Sequence, residues 1–257
     1  MAKNKVKYKA TNKTLRQQIY EFRWIYFLGI PGLLILLLMN YLPMRNLVMA
    51  FQDYNPHLGI LQSPWVGLKH FETLFQDPKF YNMLKNTLII GGLSLLTFPA
   101  PVILALIMNE VRNAKFKKFI QTSVYLPHFL SWAIVASLTF FLLSTEQGFV
   151  NKVAEMMGNE PTAYLFSSKW IYVIIVVQSL WKSVGWGSIV YLAAIAGIDQ
   201  SLYEAAKMDG ANRFQCMWKI TLPSIMPTVM VMLILRMGTI ISVDFEQVFL
   251  MNNAMVK

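Results

Sequence analysis

The sequence predicts an all-α, polytopic transmembrane helical bundle, and three observations carry that reading. Hydrophobic residues make up 56% of the 257 and charged residues only 14%, against about 25% charged in soluble globular domains. Five long apolar stretches punctuate the chain, at residues 24–42, 87–108, 119–143, 170–198 and 223–243. Lysine and arginine gather between these stretches on alternate sides. A soluble chain of this length has no room to bury so much apolar surface with so few charges to keep it dispersed. The same balance excludes disorder, a coiled coil and a secreted disulfide scaffold. The one cysteine, Cys216, forms no internal disulfide.

A helix crosses the hydrocarbon core in about 20 residues. The first, second and fifth stretches fit that length. The third is longer, which allows tilt or an interfacial end. The fourth contains Lys182, Gly185 and Gly187 and reads either as a bent helix or as one that continues past the membrane. Pro43-Met44-Arg45 is no small-residue cleavage site, so the first stretch is read as a retained helix. Ahead of it, residues 1–23 form a basic segment, and residues 24–257 form the transmembrane domain. Within 11–23, Leu15, Ile19 and Phe22 alternate with Lys13, Arg16 and Arg23. Two readings stand there: a short helix on the inner membrane surface, or a solvated basic tail. Trp24, Tyr26, Tyr41 and Trp170 sit at span ends and read as interfacial belt.

The charges orient the chain. Residues 1–23 carry seven lysines and arginines, 109–118 carry four (Arg112, Lys115, Lys117, Lys118) and 199–222 carry three (Lys207, Arg213, Lys219). The opposite regions, 43–86, 144–169 and 244–257, carry four, two and one over a longer total length. The positive-inside rule places the N-terminus, 109–118 and 199–222 in the cytoplasm. Five spans leave the C-terminus outside. Residues 244–257 hold Asp244, Glu246, Asn252 and Asn253 and read as the start of a loop whose next helix is missing.

Segment 199–222 carries the functional signal. Asp199 or Ser201 is placed to cap a helix over Leu202–Met208. Asp209-Gly210 marks a turn, and a second helical stretch is expected over Ala211–Lys219. Leu222-Pro223 opens the next span, with proline suited to a first helical turn. Glu204-Ala205-Ala206, three residues, Gly210, nine residues, Ile220, one residue and Leu222-Pro223 together match, at every fixed position, the EAA signature of permeases of ATP-binding-cassette (ABC) importers. The chain resembles the permease subunit of a binding-protein-dependent ABC sugar importer of the maltose type. Segments 66–88, 125–151 (YLPHFLSWAI, later GFVN) and 236–250 (RMG, then FEQVFL) extend the likeness, the last two towards the branch that takes up complex oligo- and polysaccharides.

That resemblance implies a type I importer permease core, with a sixth span expected beyond the five visible here. It implies a protein without catalytic chemistry that moves a carbohydrate, an oligosaccharide by its branch, across the plasma membrane. Its implied partners are an ABC ATPase dimer, a second permease subunit expected to be a different chain, an extracellular solute-binding protein and the lipid bilayer, with no nucleic acid. Glu204, Ala205, Ala206, Asp209, Gly210, Ile220, Leu222 and Pro223 become the coupling residues that dock on the ATPase. Leu202, Phe214 and Met217 would add apolar contact to Ala205. No Walker A sequence occurs in the chain. It is therefore expected to bind no cofactor, ATP and Mg being used by the partner ATPase.

Other residues have a structural and a functional reading side by side. Arg236 lies well inside the fifth stretch, where a charge faces a protein interior or an aqueous cavity. It either lines the substrate pathway or makes a structural contact. Lys182 either serves the pathway or snorkels. Trp132, Trp181, Trp186 and Tyr191 offer faces on which a sugar ring can stack, and each fits ordinary helix packing too. Asp244 and Glu246 read as a solvated outer rim, with gating or partner contact as the alternative. His57, His70 and His128 are scattered, with no metal-site spacing. Two rival classes remain. An ion-gradient-driven secondary transporter calls for intramembrane acids, which are few here. A membrane enzyme calls for a histidine or acid constellation.

Overall fold

The computed structural model describes residues 15–242 and 244–252. Lys3 to Lys13 of the basic segment, Val243, and residues 253–257 with Asn253 lie outside the described residues. Chain contacts divide the protein into two units, Met1–Phe80 and Tyr81–Lys257.

In the first unit, helix α1 (Leu15–Glu21) is followed by α2 (Arg23–Leu36). The helical path then continues as a π turn over Leu37–Tyr41 and a 3-10 helix over Leu42–Phe51. Together Arg23–Phe51 form a candidate span of 29 residues, longer than the apolar run alone indicates. The change of helix type has a local cause. Pro43 lacks an N–H, and its ring would clash with the carbonyl one turn back, so the helix widens before it and tightens after it. No residue of α2 is buried, as expected of a helix that is apolar all round and meets lipid. Beyond it come α3 (Gly59–Gln62) and α4 (Lys69–Gln76). Phe51 stacks on Trp65 and leans on Phe71, which fastens this connecting stretch.

α5 (Pro78–Leu96) leads into the second unit. It and α6 (Pro99–Glu110) make one candidate span, Pro78–Glu110. There follow α7 (Ala114–Tyr125), α8 (Trp132–Leu143), α9 (Phe149–Met156), α10 (Ser168–Ala196), α11 (Gln200–Met208), α12 (Arg213–Cys216), α13 (Leu222–Gly238) and α14 (Phe245–Met251). α10 is the hub, packing against α6, α7, α13 and α14. Its two halves feed two cores. Ile171, Ile174 and Ile175 join Ile90, Ala136, Leu165 and Met251. Tyr191 and Ile195 join Val102, Ala105, Leu106 and Ile225.

Three expectations change here, and one choice between two readings is decided. The apolar run 119–143 is not one tilted helix. α7 passes into a 3-10 turn over Leu126–Phe129, and α8 leaves at 102° to it. Pro127 ends the α-helical pattern, and the Ser131 side chain caps the new helix by accepting from the Ile134 N–H. α10, by contrast, runs unbroken through Lys182, Gly185 and Gly187. Gly185 serves close packing: a Cβ there would collide with the Val124 carbonyl of α7. The helix expected over Ala211–Lys219 is the base of the last span, since Arg213–Gly238 is one candidate span with a π turn at Met217–Thr221 just before Pro223. Finally, residues 244–252 are no open loop. α14 folds back onto α8 and α10, with Gln247 and Met251 on its buried face.

Candidate functional site

The segment between α10 and α13 is built from local signals. Asp199 caps α11 through its carboxylate, which accepts the Ser201 N–H at 2.9 Å. The Ser201 N–H and hydroxyl hold that carboxyl below the usual carboxylate range. The cap is therefore present above the ordinary carboxylate value and is lost only as pH falls through the lowered one. α11 ends in a Schellman motif: the Gly210 N–H donates to the Lys207 carbonyl at 3.0 Å and the Ala211 N–H to the Ala206 carbonyl at 2.9 Å. Gly210 takes φ +79° to close it. Asn212 and Gln215 then form a reciprocal capping box for α12.

The expected coupling residues divide by exposure. Glu204 and Ala205 lie on the open face of α11 with Leu202 and Met208, the last 88% exposed. Ala206, Asp209, Gly210 and Ile220 line one shallow recess of about 340 Å³. Leu222 packs on the second core, and Pro223 sits in the exposed first turn of α13. Phe214 is exposed. Met217 is half-buried, with part of its side chain packed on the second core. Sequence reasoning missed Tyr203 and Thr221. Their hydroxyls meet at 2.8 Å, with Thr221 buried, and tie α11 to the base of the last span. Arg213 reaches Glu110 of α6 at 3.9 Å, with both side chains substantially exposed, a contact of small energetic weight.

The second group of candidates surrounds two cavities. Trp132, Lys182 and Arg236 line one of about 460 Å³, with His128, Ser94, Ser183 and Asp244. Trp186, Tyr191 and Arg236 line another of about 350 Å³, which also reaches Ser94 and Ser183. Trp181 lines neither. Tyr191 is at the same time a member of the second core. Lys182 donates to the His128 and Leu130 carbonyls at 2.8 and 2.6 Å, so its ammonium satisfies the orphaned end of the broken helix. It also sits over the Trp132 ring. Asp244 is not a free rim group. It accepts from Trp132 Nε1 at 2.7 Å and caps α14 through the Glu246 N–H. Glu246 is exposed.

Behind the larger cavity lies a polar chain that no sequence pattern announced. Gln247 of α14 donates to Gln178 Oε1 at 3.0 Å and to the Ile175 carbonyl at 2.8 Å. Gln178 donates on to the Thr139 hydroxyl at 2.6 Å, and the Ser179 hydroxyl donates to Gln247 Oε1. α8, α10 and α14 are thereby joined through groups buried in an apolar setting, where hydrogen bonds are worth more and their loss costs more.

Long apolar helices, two cavities among them that share an arginine and two serines, and a short exposed helix between the last two spans are the layout of a membrane transport permease. A family model described as the inner membrane component of binding-protein-dependent transport systems matches residues 97–243. The protein LplB of Bacillus subtilis (strain 168) is 50% identical over 234 residues, 91% of this chain and 74% of LplB. The polygalacturonan/rhamnogalacturonan transport system permease protein YteP of the same organism is 47% identical over 247 residues, 96% and 77% of the two chains. Among solved structures, a bacterial ABC transporter involved in the import of the acidic polysaccharide alginate matches with a TM-score of 0.85 at 41% identity, covering 95% of this chain and 82% of that one. The alginate transporter in complex with an alginate pentasaccharide-bound periplasmic protein matches with a TM-score of 0.84 at 40% identity, covering 95% and 81%. The chain belongs to the family of binding-protein-dependent transport system inner membrane components. It is an integral membrane permease of an ABC importer, a transport component rather than an enzyme. The ion-gradient-driven alternative has no support in these relatives.

Proposed function

We propose that this chain carries a carbohydrate, in the form of an oligosaccharide, across the plasma membrane, with its N-terminus in the cytoplasm and α11 docked on a separate ABC ATPase dimer. A second permease subunit, a different chain, completes the pore, and an extracellular solute-binding protein delivers the sugar. ATP and Mg act in the ATPase, and this chain binds neither. Its coupling residues are Glu204, Ala205, Ala206, Asp209, Gly210, Ile220, Leu222 and Pro223. The names of YteP and of the alginate transporter support the carbohydrate, and the complex with a periplasmic protein supports the delivery partner.

The observation that carries the reading is the mounting of α11. Its outer face is open, with Glu204 and Ala205 free to meet a partner. Its inner face is tied to α13 through Tyr203 and Thr221. α10 enters the segment and α13 leaves it, and both line the cavities. A rigid shift of α11 with the ATPase therefore moves two cavity walls together. ATP binding favours one of two packings of the helices.

The test is copurification from mild detergent with mass spectrometry. A Walker-A ATPase and a second EAA-bearing permease are expected with the chain. Glu204→Lys and Gly210→Asp should each loosen the ATPase without preventing membrane insertion. Full retention of the ATPase and of transport in both variants would defeat the coupling role.

A further inference from the structure

Arg236 stands where the two cavities meet, and its guanidinium has no partner among the described residues. Arg236 lies in the last turn of α13 and lines both spaces, as do Ser94 and Ser183. Its carbonyl accepts from the Thr239 hydroxyl, while its guanidinium meets no hydrogen-bond or ion-pair partner among the described residues. The neighbouring charges are occupied. Lys182 gives its ammonium to two carbonyls. Asp244 is held by Trp132 and by the first turn of α14.

Sequence placed Arg236 well inside the last span, whereas the structure places it in the final turn, two residues before the span ends at Gly238; a cation lining a cavity there is met by water or by an anion. The planar fork of a guanidinium matches a carboxylate through two parallel hydrogen bonds. The setting suits a sugar that bears one. Cavities of about 460 and 350 Å³ are within the range of small-ligand sites. The Ser94 hydroxyl can donate to or accept from a ring hydroxyl, and the Ser183 oxygen, whose proton goes to the Ser179 carbonyl at 2.6 Å, can accept from one. The Trp186 ring, stacked on His128 at 4.6 Å between centroids, gives a flat aromatic wall.

We propose that Arg236 is the carboxylate-binding residue of the translocation pathway, and that the oligosaccharide passed by this chain is built from uronic acid units. This rests on the carbohydrate reading above and narrows it to an anionic sugar. Arg236 meets each carboxylate in turn as the chain of sugars passes, while the serines and the Trp186 wall meet the neutral parts.

The test is tryptophan fluorescence of the full chain in lipid nanodiscs, since Trp132 and Trp186 line the cavities. The probes are trigalacturonate, its methyl ester and maltotriose. Trigalacturonate is expected to quench saturably at about tenfold lower concentration than either neutral probe, one charge-assisted contact's worth. Arg236→Met should erase that preference and leave the weak binding of the ester as it was. Arg236→Lys should keep part of it, since the charge remains and the fork is lost. Equal binding of acid and ester by the natural chain overturns the proposal, as does a preference that survives Arg236→Met or a failure of trigalacturonate to saturate. Tight binding of maltotriose with no gain for the acid overturns the uronate claim and leaves the carbohydrate reading standing. The copurification above decides the importer assembly independently of either result.

Discussion

Gly210 closes the Schellman motif of α11 at φ +79°, and nothing lies within reach of a Cβ placed there. The constraint is therefore one of backbone and not of space. Gly210→Ala should cost about 1–2 kcal/mol locally, the penalty of a left-handed conformation for a residue with a Cβ. It should appear as faster hydrogen exchange at the Gly210 and Ala211 amides, with exchange in α10 unchanged. Asn151 is held by the opposite means. It is 1% exposed, donates to the Ser144 and Thr162 carbonyls at 3.1 and 3.0 Å, and accepts the Thr162 N–H at 3.0 Å. Asn151→Leu strands those backbone groups and should destabilise the purified chain by about 3 kcal/mol, read as a lowered melting temperature. The first residue was legible in the sequence, because Asp-Gly after a helical run is a local signal. The second was not, because its partners lie in two loops whose approach no spacing rule encodes.

The same division separates helices that were legible from those that were not. Apolar length located all the long helices, since length and composition are what a membrane selects. It could not locate the break at Leu130, because the run 119–143 is apolar on both sides of it, nor α14, whose burial depends on Gln178 and Ser179 lying 69 and 68 positions away. Lys182, read from sequence as pathway or snorkelling, is the pin of that break. Lys182→Met keeps the stem and removes the donor, leaving the His128 and Leu130 carbonyls without their partner. The expected loss is about 3 kcal/mol, at 1–3 kcal/mol for each stranded group. For a chain of this size that corresponds to a fall of about 6–12 °C in melting temperature. Trp132, which lies under the ammonium at 5.3 Å, should change its emission as well. An unchanged melting temperature would show that water replaces the ammonium and that the break holds itself.

Transport requires that motion at α11 reach the cavities, and among the described residues the Tyr203–Thr221 contact is the side-chain hydrogen bond that joins α11 to the base of the last span. Thr221 also bonds the Cys216 carbonyl, at 3.4 Å, so the π turn keeps an internal bond if the tyrosine hydroxyl is removed. Tyr203→Phe therefore separates docking from transmission. Glu204 and Ala205 lie on the other face and are untouched, so the ATPase should copurify in its usual amount. The folded state should lose no more than about 1 kcal/mol, one hydrogen bond. What changes is how strongly α11 biases α13 between its two packings. A coupling loss of about 1 kcal/mol is roughly a fivefold shift in that equilibrium. In proteoliposomes holding the whole importer, sugar moved per ATP hydrolysed should fall by about that factor while ATP hydrolysis itself continues. Loss of the ATPase from the variant would place Tyr203 in the docking face. Unchanged sugar per ATP would show that the backbone through Gly210 and Asn212 carries the motion without the tether.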